Sequence, residues 1–186
     1  MNVTTLFREL TVDEFQNMAE QGLFAPDMRL ELIDGRIHEM SPVGRKHAAT
    51  VVRLMAYFPP QLGDGYTYSA QNPVQLLPKF QPQPDYMILR HRDDDYELVL
   101  PTARDVLLLV EVSDSTLIDD LTIKLPRYAK AQIPEVWIIN VNHSTVMQFL
   151  KPNKDKEEYL QQQSYQRGEE IPTTLNVVVP VDIIFK

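Results

Sequence analysis

A mixed α/β domain built on a central sheet is the fold this sequence predicts, and three observations predict it. Val106-Leu107-Leu108-Leu109-Val110-Glu111-Val112 is a short, almost wholly apolar run, the pattern of a strand covered on both faces. Val136-Trp137-Ile138-Ile139-Asn140-Val141 is a second such run, and a helical pattern from about Asp119 to Ala131 lies between them. Strand, helix, strand over this length is the signature of a right-handed crossover joining parallel strands. The 186 residues are 44% hydrophobic and 24% charged, with no internal repeat, linker or low-complexity stretch. A single domain over residues 1–186 is therefore expected, long enough to hold a core without a metal or disulfide staple.

The remaining elements follow in order. Thr11-Val12-Asp13-Glu14 places a hydroxyl and a carboxylate three apart, the capping-box spacing, ahead of Phe15, Met18 and Ala19, so a short helix starts here and stops near Gly22. Arg29 to Ile33 and Arg36 to Met40 alternate like strands around Asp34-Gly35, a tight-turn pair, and read as a hairpin. From Arg45 to Tyr57 the apolar positions Ala48, Val51, Val52, Met55 and Phe58 keep helical spacing, with Pro59-Pro60 as the expected stop. Strand-like runs come at Tyr66 to Ala70 and, after a proline-rich approach, at Asp85 to Leu89. Two more, Thr145 to Leu150 and Glu158 to Ser164, flank a charged turn, and Asn176 to Val179 adds a last short run.

The chain has no cysteine, which excludes a disulfide framework, a thiolate metal site and a cysteine nucleophile. No apolar stretch approaches the roughly 18 residues a membrane span requires, and no basic start precedes a long apolar run, so a cytoplasmic protein with no membrane partner is expected. With 18 Lys+Arg against 26 Asp+Glu the formal charge is −8. That balance argues against holding nucleic acid by broad charge alone. Six scattered glycines make neither a P-loop nor a dinucleotide fingerprint. Asp93-Asp94-Asp95 reads as a solvated loop.

Two acids stand apart. Glu111 ends the most apolar strand, where an ionised carboxylate is costly to bury unless something pairs with it or coordinates it. Asp85 follows Pro84 and opens another strand, so its carboxylate can project from a sheet end. Carboxylates converging from neighbouring strands, with a backbone carbonyl and water, form the all-oxygen environment that magnesium prefers; the competing account is an arginine paired to Glu111 across the sheet. Lys124, on the helix leaving the strand, could reach back to the strand's end, with Tyr128 one turn later on the same face. Phosphodiester hydrolysis calls for a divalent cation to activate water and for positive charge near phosphorus. Asp85, Glu111 and Lys124 would supply those parts, whereas Lys124 paired only with Asp120 would be structural.

Pro84-Asp85, Glu111-Val112-Ser113, Lys124-Leu125-Pro126-Arg127-Tyr128 and Ile133 to Ile138, preceded by Glu31-Leu32-Ile33-Asp34-Gly35, resemble the Uma-two family of restriction endonucleases within the PD-(D/E)XK nuclease superfamily. The resemblance runs from about Thr11 to Phe185. It implies a restriction-endonuclease-like core, a central mixed sheet flanked by helices. It also implies that Asp85 and Glu111 ligate magnesium or manganese with the Val112 carbonyl as a third oxygen, that Lys124 is the catalytic lysine, and that Glu31 is a further acid near the site. Ser113 stands where the superfamily usually has lysine, so activity would depend on Lys124 reaching that place from the helix. Against Glu31, strand alternation sets it opposite Leu30 and Leu32, where it could simply be solvated.

His47 could face the site as a proton shuttle or phosphate contact, or serve structure alone. Gln71 could orient water or close a turn, Tyr128 could contact substrate, and Arg45 and Lys46 at a helix start, with Arg53 further on, could contact phosphate. DNA, bound weakly and without sequence preference, is the expected partner. A homodimer or higher homo-oligomer is the expected assembly, since each site handles one strand of a near-symmetric duplex, with Phe149 and Tyr159 as candidate contacts. Two other functions fit the residues: a catalytically inactive nuclease-fold binding or assembly module, favoured by the acidic charge and by Ser113, and a small-molecule hydrolase using the same metal site.

Overall fold

In the computed structural model, which describes residues 8–186, the first helix, α1 (Val12–Glu20), starts at the expected capping box. The Glu14 amide donates to the Thr11 hydroxyl at 3.2 Å, and the Thr11 amide donates to the Glu14 carboxylate at 3.0 Å. The predicted hairpin is present as β1 (Leu30–Ile33) and β2 (Arg36–Glu39). Asp34 and Gly35 have φ of 50° and 75°, the left-handed pair that a two-residue turn requires. A Cβ on Gly35 would lie 2.9 Å from the Leu10 carbonyl oxygen, so glycine also admits the incoming chain.

Helix α2 (Arg45–Leu62) does not stop at the two prolines. The carbonyls they leave without partners belong to Met55 and Ala56, on the exposed side, where water can serve them, while Phe58 and Leu62 still pack inward. Its buried residues are Thr50, Val51, Leu54 and Phe58; of the five helically spaced positions, Ala48, Val52 and Met55 are exposed.

The central sheet has six strands in sequence order: β3 (Tyr66–Ser69), β4 (Tyr86–Arg90), β5 (Val106–Ser113), β6 (Glu135–Asn140), β7 (Thr145–Asn153) and β8 (Glu158–Gln166). Neighbours are antiparallel except β5 and β6, the parallel pair that the crossover predicts. The crossover is a helical segment in three parts: α3 (Leu117–Asp119), a π turn (Asp120–Lys124) and α4 (Leu125–Lys130). A small pair, β9 (Glu170–Pro172) and β10 (Val178–Pro180), leads to α5 (Val181–Ile184).

Each sheet face carries its own core. On one, Val51, Leu54 and Phe58 of α2 meet Tyr86, Ile88, Leu108, Val110, Val112 and Trp137. On the other, Tyr128 of α4 meets Met87, Leu109, Val136 and Ile138. Phe149 and Tyr159 belong to this second core. Their rings lie 6.0 Å apart and the Tyr159 hydroxyl donates to the Ile133 carbonyl at 2.8 Å, so the two contacts expected at a dimer edge are intramolecular.

Strand alternation then places the two singled-out acids. Leu109 faces the α4 layer, hence so does Glu111, two residues on. Antiparallel register pairs Tyr86 with Val110, and one step further sets Asp85 opposite Glu111 on the same face.

Candidate active site

At this end of the sheet the hairpin, the start of α2, the approach to β4, the end of β5 and the π turn enclose a cleft of about 300 Å³. Glu31, His47, Asp85, Glu111, Val112, Asp120 and Lys124 are among its lining residues. Each acid reaches it for a local reason. Asp85 is fixed at the strand entrance, its Oδ2 accepting from the Val112 amide at 2.8 Å and its Oδ1 lying 2.8 Å from His47 Nε2. Glu111 is carried in by the alternation of β5. Glu31 is buried on β1 because Leu32 exchanges backbone hydrogen bonds with Gln81 across a second segment, which closes the hairpin over the cleft. The solvated alternative for Glu31 is thereby overturned.

Lys124 joins these acids. Its ammonium lies 3.0 Å from Glu31 Oε2, 3.3 Å from Glu111 Oε1 and 4.0 Å from Asp120 Oδ1. A π turn carries one extra residue per turn, and such turns recur at functional sites; here it ends at Lys124 and sets both Lys124 and Asp120 inward. Ser113 is fully buried, and its hydroxyl donates to Asp120 Oδ2 at 2.7 Å beside that of Thr116 at 2.8 Å. Serine therefore anchors Asp120, the acid that flanks the Lys124 ammonium.

The electrostatics follow from burial. Desolvation pushes the Glu111 carboxyl well above its ordinary value, Lys124 opposes the shift, and Asp120 and Asp85 add to it. Asp120 is raised as well, chiefly by burial. Burial alone would lower Lys124, yet Glu111, Glu31 and Asp120 outweigh it and hold the ammonium charged well above the ordinary lysine range.

The other expected residues divide. His47 and Val112 line the cleft. Tyr128 does not: it is fully buried and its hydroxyl donates to Glu111 Oε1, so it positions the carboxylate and is shut away from substrate. Gln71 closes a turn, with φ of 55° and its amide donating to the Asp85 carbonyl at 3.2 Å. Arg45 and Lys46 are exposed and point to a separate concavity. The Asp93 to Asp95 loop is engaged locally, with Arg92 clasping Asp94 at 2.7 and 2.8 Å.

Two cleft residues had no clear sequence signal. Asp120 was visible only as a partner for Lys124. Arg29, just before β1, lines the cleft and carries a buried Nη2 with no hydrogen-bond partner among the described residues. Only the hairpin's closure over the sheet brings it there.

Among the described residues no group of three or more His, Asp and Glu side chains is disposed to share a metal ion. A cation in this cleft would rest on two carboxylates, a backbone carbonyl and water. No described helix is long and apolar enough to cross a membrane.

No curated protein matches the sequence. The fold is similar to a crystal structure described as "a putative nuclease belonging to DUF820 from Anabaena variabilis ATCC 29413". The TM-score is 0.67 at 15% identity, covering 95% of this chain and 97% of that one. That likeness concerns the fold. The sequence model of the Uma2 family, described as "Putative restriction endonuclease", matches residues 12–180, and over that span the chain belongs to this family.

Proposed function

We propose that the protein is a divalent-metal-dependent DNA endonuclease that hydrolyses phosphodiester bonds, with magnesium as the natural cation and manganese able to replace it. One observation carries this reading. Four carboxylates, Glu31, Asp85, Glu111 and Asp120, are each at most 6% exposed around one cleft, and among the described residues the ammonium of Lys124 is the one charged group within 4.0 Å of three of them. Burial raises Glu111 and Asp120 and so opposes their ionisation, and a bound cation would let these acids carry their charge together. The all-oxygen donor set suits a hard ion, with Asp85, Glu111 and the Val112 carbonyl as its protein ligands.

Bound there, the cation would lower the pKa of a water and neutralise charge building on phosphorus. The chain's own groups do the rest. Tyr128 and the Val112 amide hold the two carboxylates in place, as supporting hydrogen bonds do around metal ligands. Lys124, kept protonated by its acidic neighbours, offers an ammonium beside Glu111 to the phosphoryl oxygens. Arg29, whose side chain also lines the cleft, adds a second cation to its wall.

Incubation of the purified protein with supercoiled plasmid in magnesium or manganese tests this. Nicking or linearisation by the wild type, lost in Asp85→Asn and restored by neither metal, is the expected result. A wild type that cuts nothing and binds neither ion by titration calorimetry would overturn it in favour of the inactive assembly module.

A further inference from the structure

The protein is acidic overall, yet one concavity of about 400 Å³ beside the cleft is lined by Arg45, Lys46, Arg53, Arg167 and Lys186, with no Asp or Glu side chain among its described lining residues. Sequence separation hides only part of this cluster: Arg45, Lys46 and Arg53 share α2, whereas Arg167 comes from the turn after β8 and Lys186 from the segment after α5. Two of the five are already engaged. Arg53 donates to the Ile184 carbonyl at 2.8 Å, which ties α5 to α2, and Arg167 lies 3.1 Å from Asp182. Arg45 and Lys46 have no ion-pair partner among the described residues and are exposed at the mouth.

The concavity and the cleft share a rim. His47, the next residue of α2, turns into the cleft toward Asp85. Asn142, on the concavity's wall, donates to the carbonyl and carboxylate of Asp114 at 2.9 and 3.0 Å, and Asp114 lines the cleft. Gly44 keeps this rim low, since a Cβ there would sit 2.9 Å from Asp114 Oδ2. A strand of phosphates crossing the rim would have one phosphate at the carboxylates and its neighbours over Arg45 and Lys46.

We propose that this basic concavity is the seat of the DNA backbone flanking the scissile phosphate, so that the substrate is an extended polynucleotide held on one side of the cut and not a small phosphodiester. The placement relative to the cut rests on the nuclease reading above. The binding of DNA phosphates at the concavity does not. Local cations carry the affinity that the net charge withholds, and each phosphate neutralised releases counterions and contributes about one to the salt slope of binding.

The test is DNA affinity measured by fluorescence anisotropy on a short labelled duplex, in EDTA and across a salt series, for the wild type and two double variants. Arg45→Glu/Lys46→Glu reverses the free cations in a helical first turn, where acids are well tolerated. Lys154→Glu/Lys156→Glu makes the same change of net charge at the turn between β7 and β8. The first is expected to weaken binding roughly tenfold or more at low salt and to flatten the slope of log K against log salt by about two; the second is expected to stay within about twofold of wild type, with both melting like the wild type. Equal losses in the two variants, wild-type affinity in the first, or a wild type that binds no duplex would each overturn the proposal. Because binding is read without magnesium, a protein that binds through the concavity yet never cuts would sink the nuclease reading and leave this one standing.

Discussion

Glu111 on β5 and Glu135 on β6 are buried carboxylates on adjacent parallel strands, 3% and 0% exposed, and they are stabilised in opposite ways. Glu135 is ringed by neutral donors. Trp137 Nε1 and Gln148 Nε2 each donate to its Oε1 at 2.7 Å, and the Thr174 amide and hydroxyl donate to Oε2 at 2.8 and 2.7 Å. Both oxygens are satisfied, and the group ties the segment after β9 to the sheet. Among the described residues Glu111 receives donors on Oε1 only, from Lys124 and Tyr128, and it has Asp85 and Asp120 as acidic neighbours at the wall of an open cleft. A buried acid whose bonds are closed by neutral donors is a structural fastener. One left among like charges beside a cavity has its ionisation shifted by its neighbours and is a candidate functional group.

The largest effect that would sharpen this contrast is on cleavage. Glu111→Gln should lower metal-dependent plasmid cutting at least roughly 10³-fold, about 4 kcal/mol in the barrier, while changing chemical-denaturation stability by no more than about 1 kcal/mol, because a costly buried charge is lost along with its partner bonds. Comparable cutting by Glu111→Gln and wild type would break the distinction.

Lys124→Met comes next. Three acids then lose their shared ammonium, and a stability loss of about 3–5 kcal/mol is expected in EDTA at neutral pH, the cost of stranding buried charge. Urea titration measures it, and part of the loss should return at low pH, where the acids can protonate.

Glu135→Ala should cost about 3 kcal/mol through unsatisfied buried donors and an unfastened C-terminal segment. Its metal affinity by calorimetry should match wild type below the melting point. Reduced metal binding in a folded Glu135→Ala protein would mean that the two glutamates are not independent.

The pH dependence sharpens the same point. The folded-state pKa of Lys124 is raised, so its contribution to stability is fully present below the ordinary lysine value of 10.5 and is lost as pH rises through the folded value. Denaturation midpoints in EDTA should therefore fall above about pH 10.5 more steeply for wild type than for Lys124→Met. The smallest expected effect is Thr174→Val, about 1 kcal/mol, from one lost hydroxyl bond to Glu135.

The sequence exposed the elements whose signals are local. The Thr11 capping box, the Asp34-Gly35 turn and the two apolar strands with their crossover helix all appear where periodicity and turn chemistry place them. The course of α2 past Pro59 and Pro60 was hidden, because the sequence does not show that the carbonyls deprived of bonds face outward.

Of the site, the sequence by itself determined which groups are unusual: an acid at the end of an apolar strand, an acid after a proline, a lysine on the following helix. Those follow from the cost of burying charge and from strand and helix periods, which are properties of short segments. Only the tertiary structure decided who their partners are. It turned Glu31 inward by closing a hairpin over the cleft, shut Tyr128 in behind Glu111, gave Ser113 to Asp120, and gathered Arg45, Lys46, Arg53, Arg167 and Lys186 into one concavity. Electrostatic environment is the sum over neighbours in space, and neighbours brought together from opposite ends of a chain leave no period or spacing to read.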